Sequence, residues 1–537
     1  MAEIEAFGPD GDKFLASDGN VSAGDGNRDI ERIVIVGGGT AGWMAAAALS
    51  RFLDNGRRRI HLVESDAIGT VGVGEATIPP ILGFNAMLDL NENEFLAATQ
   101  GTIKLGIEFV DWGRLGDRYF HPFGFYGQDL HGIPFHQLWL RERGRGEPGS
   151  ISEYCMSAVA AAHGRFGRPS RNTRPPVSEM LYAFHFDAAL YARYLRGRAE
   201  KQGVQRHEGR IVQVHQDAES GDIASVELES GERIGGELFI DCSGFRALLI
   251  GETLGVGFED WSQWLPVDRA IPVPTARDTA PDPFTRSTAH GAGWQWRIPL
   301  QHRTGNGHVY CSEFLGDDEA EAILMANLEG EAIAGRRVIR FTTGRRKLSW
   351  SHNVVCLGLS SGFLEPLEST SIHLVQNGIQ RLLALFPDHP VSPIERDEYN
   401  RGMKDLYEDI RDFIILHYKA TQRDDTEFWR HVAAMEVPAT LQRKVDLWKL
   451  HGRVFREDAE LFGKTSWVAV MLGQNIWPDR YDPIADSLDE TKVARAMAEM
   501  RERYRDAAHG LPGQEEFLRA AGAWTAGDVR PQPVAVR

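Results

Sequence analysis

The hydrophobic and polar positions first fall into a regular pattern at residue 33. Ile33-Val34-Ile35-Val36 is an unbroken apolar run with the length of a buried parallel strand, bounded by Arg32 and Gly37. Gly37-Gly38-Gly39-Thr40-Ala41-Gly42 follows and passes into Trp43-Met44-Ala45-Ala46-Ala47-Ala48-Leu49, a run dominated by the strongest helix former. Arg59-Ile60-His61-Leu62-Val63 reads as a second strand that closes with Glu64. Strand, glycine turn, helix and strand make a βαβ opening. Further strands are predicted over Thr102–Trp112, Ile234–Cys242 and Val354–Leu359, with an amphipathic helix over Ala188–Lys201, and this mixture predicts an α/β chain. After about residue 390 charged and aromatic residues recur at helical spacing while strand-like runs become scarce, so residues 391–524 are expected to be mainly helical. Residues 1–29 and 525–537 lack apolar periodicity and read as tails, the first of them disordered.

Composition removes several classes of function. At roughly 150 residues per domain, the 537 residues hold two to four domain-sized units. The chain is 42% hydrophobic and 25% charged, and no stretch approaches the roughly 18 uninterrupted apolar residues of a membrane span. Its 59 Lys and Arg against 76 Asp and Glu give a net charge of −17, which repels polyanions, so nucleic acid is excluded as a partner. The four cysteines, Cys155, Cys242, Cys311 and Cys356, are widely separated, with neither a disulfide framework nor a metal-ligand spacing. That usage, and the lack of a basic-then-apolar leader, predict a protein of the reducing cytoplasm without a metal.

Four segments carry candidate chemistry. Gly37-x-Gly39-x-x-Gly42 sits between a strand and a helix, where the first glycine makes the tight turn, the second admits a pyrophosphate and the third allows close helix packing. Thr40 and Ala41 lie inside that turn, and Glu64 ends the next strand, where a carboxylate accepts hydrogen bonds from a ribose. This fingerprint predicts a dinucleotide site and leaves NAD and FAD both open. Val71-Gly72-Val73-Gly74-Glu75-Ala76-Thr77-Ile78-Pro79 has the turn chemistry of a strap over a cofactor or of a surface loop. In Gly293-Trp294-Gln295-Trp296-Arg297-Ile298-Pro299 the period-2 tryptophans project from one strand face, a pattern that on its own favours core aromatics. Ser360–Ser371 places a Ser/Thr cluster before the helical run Ile372-His373-Leu374-Val375, so it is expected at least to cap that helix, and it offers N–H groups to an anion.

Together these segments resemble the flavin-dependent halogenases of the tryptophan halogenase family. The matching pieces are GGGTAGW at 37–43, GVGEATIP at 72–79, YAFHFDA at 182–188, DCSGFR at 241–246, GWQWRIP at 293–299 and FLEPLEST at 363–370, within a resemblance spanning about residues 31–480. It implies a glutathione-reductase-like, Rossmann-type FAD-binding module interleaved with a substrate module over residues 30–390, closed by the helical C-terminal part. It also implies that FAD is supplied as FADH2 by a separate NAD(P)H-dependent flavin reductase, and that oxygen and chloride or bromide then yield hypohalous acid. A homodimer follows from the same resemblance.

The resemblance assigns residues as well. Lys104, which on the pattern alone shares the solvated face of a strand with Glu108, becomes the lysine that meets hypohalous acid. It either donates a hydrogen bond to the acid's oxygen or becomes a haloamine, and burial lowers its pKa toward the second role. Glu368 becomes the carboxylate that stabilises positive charge on the attacked ring and accepts the displaced proton. Thr370 and Ser371 hold halide. Chlorinating members commonly have Gly at the second of these positions, so Ser371 leaves both halides open. Ala76 and Ile372 join the cofactor-binding set, and Trp294 and Trp296 wall the flavin off from the substrate. His121 and Phe123 flank the aromatic ring, with a solvent-facing turn as the alternative. Tryptophan-specific members hold the amino acid with a tyrosine pair, an acid, a phenylalanine and an asparagine. Counting back from Trp477-Pro478, Glu457 matches the acid, but Leu461 and Ser466 replace the next two, and no tyrosine pair precedes His451. The expected substrate is therefore a free, electron-rich aromatic of indole or tryptophan type. A single-component FAD monooxygenase that hydroxylates aromatics and a non-catalytic flavin-binding protein are the alternatives.

Overall fold

In the computed structural model, which describes residues 29–53, 56–67, 74–170, 172–277, 279–457 and 460–525, the first apolar run becomes β1 (Arg32–Val36) and the glycine turn leads into α1 (Thr40–Leu53). β2 (Arg59–Glu64) returns parallel to β1, with Val36 opposite Val63. β3 (Gly74–Ala76), β4 (Thr102–Lys104), β5 (Gly106–Val110), β6 (Arg118–Pro122), β7 (Ala183–Asp187), α2 (Ala188–Lys201), β8 (Gln205–Glu208) and β9 (Leu238–Asp241) follow. Then come β10 (Thr285–His290), β11 (Gly293–Pro299), β12 (Arg303–Tyr310), β13 (Val354–Cys356), α3 (Ser371–Ala384), α4 (Pro393–Lys419) and α5 (Lys464–Gly473). Apart from Asp29 and Thr525, the expected tails lie outside the described residues, as do Val71–Val73 of the strap.

Among the described residues the parallel strands β13-β9-β1-β2-β8 form one sheet, with Trp350–Ser351 antiparallel at its edge. Alternation sorts its two faces. Ile33, Ile35, Ile60, Leu62 and Ile240 join the main core with Met44 and Leu49 of α1, while Val34, Val36, Val63 and Phe239 pack against the antiparallel ribbon of Ile211–Gln216, Ile223–Leu228 and Arg233–Gly235. Both faces are covered, which explains why these strands are continuous apolar runs. The α/β fold with its Rossmann-type βαβ opening is thus as expected.

A second, mostly antiparallel sheet runs through β12-β11-β10-β5-β6, and β3, β7 and β4 form a small third one. The expected single strand Thr102–Trp112 is divided between these two sheets. Lys104 pairs with Ala183 of β7, the Leu105 N–H turns aside to donate to the Pro283 carbonyl (2.8 Å), and Gly106 starts β5 opposite Pro122 of β6. A Cβ at Gly106 would stand 2.5 Å from the His121 carbonyl oxygen, so glycine lets β5 and β6 meet there. Lys104 and Glu108 therefore share no solvated face: Lys104 is fully buried, and Glu108 pairs with Arg118 and Arg286. Beyond Phe363 every element among the described residues is helical, in keeping with the expected helical C-terminal part. α4 threads the core, and every residue from Ile410 to Tyr418 is buried.

Candidate active site

The glycine turn forms an open cradle at the start of α1. Gly37 has φ +110°, a region costly for any residue with a Cβ, and a Cβ there would meet the Cys242 carbonyl oxygen at 2.2 Å. A Cβ on Gly42 would stand 1.9 Å from the Gly37 carbonyl oxygen, so this glycine brings the helix onto the turn. Over Gly39, by contrast, a Cβ would meet no protein atom within 4 Å, and that open space is where a phosphate can approach the backbone. Thr40 donates to the Ala188 carbonyl (3.4 Å), and Ala41 packs close to Gly358. Glu64 lies against Gly38 and accepts from Arg206 Nε at 2.5 Å. Ala76 sits opposite His185 in the small sheet, and Ile372 lies in the first turn of α3, which packs on α1.

The second centre is built where β4, β6, α4 and the turn before α3 meet. The 3-10 turn Pro366–Glu368 ends in Ser369, whose left-handed backbone (φ +59°) costs about 1–2 kcal/mol for a residue with a Cβ. Ser369 Oγ accepts a hydrogen bond from Lys104 Nζ at 2.7 Å, and the Phe123 ring centroid lies 5.2 Å from the same nitrogen. Burial brings the Lys104 ammonium down to about 7, although the charge of Glu368 opposes the shift.

Glu368 is itself buried, which alone would raise its pKa. His121 Nδ1, 3.0 Å from Oε2, and His417 Nε2, 2.8 Å from Oε1, outweigh burial and hold the carboxyl at about 2. Three residues earlier the reverse holds. Burial lifts Glu365 to about 7 even though Tyr418 (2.7 Å) and Trp294 Nε1 (2.6 Å) both donate to it. One short segment thus carries one carboxylate and one carboxyl near its neutral point, set apart by their surroundings.

Thr370, expected to cap α3, does not. Because Ser369 takes the left-handed conformation, Thr370 already has helical dihedrals (φ −95°, ψ −8°) and its hydroxyl cannot reach back to the following N–H groups. Among the described residues its buried Oγ1 has no partner. The start of α3, at Thr370 and Ser371, is therefore an uncapped helix N-terminus beside an unpartnered hydroxyl, an environment that favours a small anion.

A cavity of about 760 Å³ opens onto this centre, with His121, Phe123 and Glu368 in its wall beside Leu461, Phe462 and Ser466. His121 and Phe123 are thus buried cavity residues and not a solvent-facing turn. Lys104 lies outside the lining, reaching toward it through Ser369 and Phe123. Three further expected residues are not in this wall. Trp294 and Trp296, with ring centroids 6.2 Å apart, are buried on β11 in an aromatic cluster with Trp112 and do not line the cavity. Glu457 is exposed and pairs with Arg443 (3.0 Å), because the chain before α5 turns its side chain outward. Sequence reasoning missed Phe462, which stacks on Phe413 at 3.8 Å, one position past the Leu461 it examined. It also missed His417, whose signal was a lone imidazole inside the apolar run Phe413–Tyr418.

None of the cradle glycines lines the cavity, so a dinucleotide cradle and an aromatic-walled cavity stand at different places, the arrangement of an enzyme that binds its cofactor apart from its substrate. The chain belongs to the tryptophan halogenase family, whose profile matches residues 32–490, and it is a flavin-dependent halogenase. Among solved structures, Xcc4156, a flavin-dependent halogenase from Xanthomonas campestris, is 49% identical with a TM-score of 0.89, covering 94% of this chain and 100% of that one. BrvH, a flavin-dependent halogenase from Brevundimonas sp. BAL3, is 46% identical with a TM-score of 0.89, covering 92% and 99%. The tryptophan 6-halogenase SttH of Streptomyces toxytricini is 34% identical over 92% of this chain and 99% of its own. The residues present fit FAD: the opening over Gly39 at the start of α1 accommodates its pyrophosphate. Among the described residues no helix is long and apolar enough to cross a membrane, and no cluster of His, Cys, Asp and Glu suits a metal ion.

Proposed function

We propose that this halogenase acts on a free, electron-rich aromatic of indole type whose ring lies between His121, Phe123 and Phe462 beside Glu368. Reduced FAD, delivered by a separate NAD(P)H-dependent reductase, supplies hypohalous acid from oxygen and chloride or bromide, and the single dinucleotide fingerprint in this chain supports the separate reductase. Gly37, Gly39, Thr40, Ala41 and Gly42 hold the pyrophosphate, Glu64 the ribose, and Ala76 and Ile372 complete the cofactor wall. Thr370 and Ser371 hold halide at the uncapped start of α3. Lys104 donates a hydrogen bond to the oxygen of the hypohalous acid. As the ring attacks, the carbon–halogen bond forms and the oxygen–halogen bond breaks. The proton from Lys104 leaves with that oxygen as water, and the ring proton passes to Glu368.

A carboxylate near 2 is a weak base toward most acids, but a halogenated cationic ring is a very strong acid, so Glu368 suffices as acceptor and its charge stabilises the cation beforehand. The observation that carries this reading is Glu368 buried in the wall of an aromatic cavity with the buried Lys104 behind it, hydrogen-bonded to the neighbouring Ser369. SttH is a tryptophan halogenase by name, and this chain differs where an amino acid's charged ends would be held. Leu461 and Ser466 stand in the cavity wall, and Glu457 turns to Arg443. In competition between equimolar indole and tryptophan, with reduced FAD, air and bromide, indole is expected to be consumed with at least about tenfold higher kcat/KM, about 1.4 kcal/mol of discrimination. Equal or faster use of tryptophan overturns the substrate assignment.

A further inference from the structure

His417 is fully buried in α4, enclosed by the rings of Phe109 (5.0 Å), Phe413 (5.2 Å) and Trp112 (6.1 Å), and it takes no part in the cavity wall. Its Nδ1 is 2.9 Å from the Phe413 carbonyl oxygen. A carbonyl only accepts, so Nδ1 carries a proton. Its Nε2 is 2.8 Å from Glu368 Oε1. The outward direction of Nε2 lies off the line to Oε1, so this is a close contact rather than an aligned hydrogen bond.

The titratable groups that act on Glu368 are His121 and Tyr119 on β6, Lys104 on β4 and His417 on α4. His121 faces the cavity and contacts both carboxylate oxygens (3.1 and 3.0 Å), whereas His417 contacts the carboxylate from the closed side. Resting on the reading of Glu368 as the ring-side carboxylate, we propose that His417 is its positioning residue: an imidazole anchored on the Phe413 carbonyl that fixes the carboxylate's orientation from the closed side. Two imidazoles thereby divide the work. His417 stands behind the carboxylate, away from the substrate, and helps hold it below the usual carboxylate range, and His121 is left as the imidazole through which the proton taken up by Glu368 exits to the cavity.

The test compares His417→Phe, His417→Gln and Glu368→Gln as FAD-loaded proteins, following halogenated product across pH. His417→Phe is expected to lower kcat roughly tenfold or more with KM for the aromatic little changed, and to move the acid limb of the profile upward by about one to two pH units. His417→Gln, which keeps a polar donor without the imidazole and guards against misfolding of the first variant, is expected to show the same upward shift with a smaller loss of kcat. A purely structural role for His417 predicts lower FAD content or melting temperature, with residual activity following the wild-type profile. That result overturns the proposal. Glu368→Gln separates the two readings: full activity there overturns the assignment of Glu368 itself, whereas its inactivity beside unshifted His417 profiles overturns only the role of His417.

Discussion

Lys104→Met is expected to lose halogenated product by roughly 1,000-fold or more while it still binds FAD and oxidises reduced flavin. Methionine fills similar space in the fully buried site but can neither donate to the oxygen of hypohalous acid nor carry a halogen. The substitution also has a predictable sign for stability. The folded chain holds the Lys104 pKa at about 7 against 10.5 for a free lysine, so between those values the unfolded chain binds a proton that the folded one has released. Stability attributable to this group therefore rises with pH through that window and is lowest below about 7. Removing the amine relieves that penalty, and Lys104→Met is expected to melt no lower than the wild type at neutral pH. Product formed at the wild-type rate, followed by mass spectrometry with flavin oxidation monitored in parallel, removes Lys104 from the mechanism.

Glu368→Gln is the second large effect. A neutral amide neither accepts the ring proton nor stabilises the cationic ring, so product formation is expected to fall by roughly 100- to 1,000-fold, in kcat far more than in KM. Unlike the lysine, this carboxylate stabilises the fold. Its pKa is about 2 in the folded chain against 4.5 unperturbed, so its contribution is complete above 4.5 and lost as pH falls from there toward 2. Glutamine gives up the carboxylate's contacts with His121 and His417, and the variant is expected to be destabilised at neutral pH by on the order of 2–3 kcal/mol. A folded variant that halogenates at the wild-type rate refutes the assignment.

The parts of this protein that were legible in its sequence are those specified locally. The run Ile33–Val36, the three spaced glycines and the alanine helix carry their own strand, turn and helix, and they fold as read. The break between Lys104 and Gly106 was not legible because it depends on Pro283, distant in the chain, which captures Leu105, and on the neighbouring strand at His121, which admits only glycine at 106. Burial of Lys104 follows from that break, so a periodic reading of Thr102–Trp112 could only make it a surface lysine. Thr370 shows a second limit: a Ser/Thr cluster before an apolar helix signals a cap, yet the left-handed Ser369 starts the helix one residue early. In the lid, spacing counted back from Trp477 found Leu461 but not its neighbour Phe462, which lies just before α5 and whose partner Phe413 is on α4. His417 was hidden for a related reason. In an apolar run one imidazole reads as a tolerated core residue until Glu368 is seen 2.8 Å away.

The proposed reaction delivers halogen, and not oxygen, to a ring held away from the flavin beside Glu368, with Lys104 behind it. It is tested most directly by mass spectrometry of products from the wild-type protein supplied with reduced FAD, air, indole and either bromide or chloride. The predicted result is a product bearing the isotope doublet of the halide supplied, absent from the Lys104→Met reaction. A product carrying one added oxygen and no halogen would contradict it.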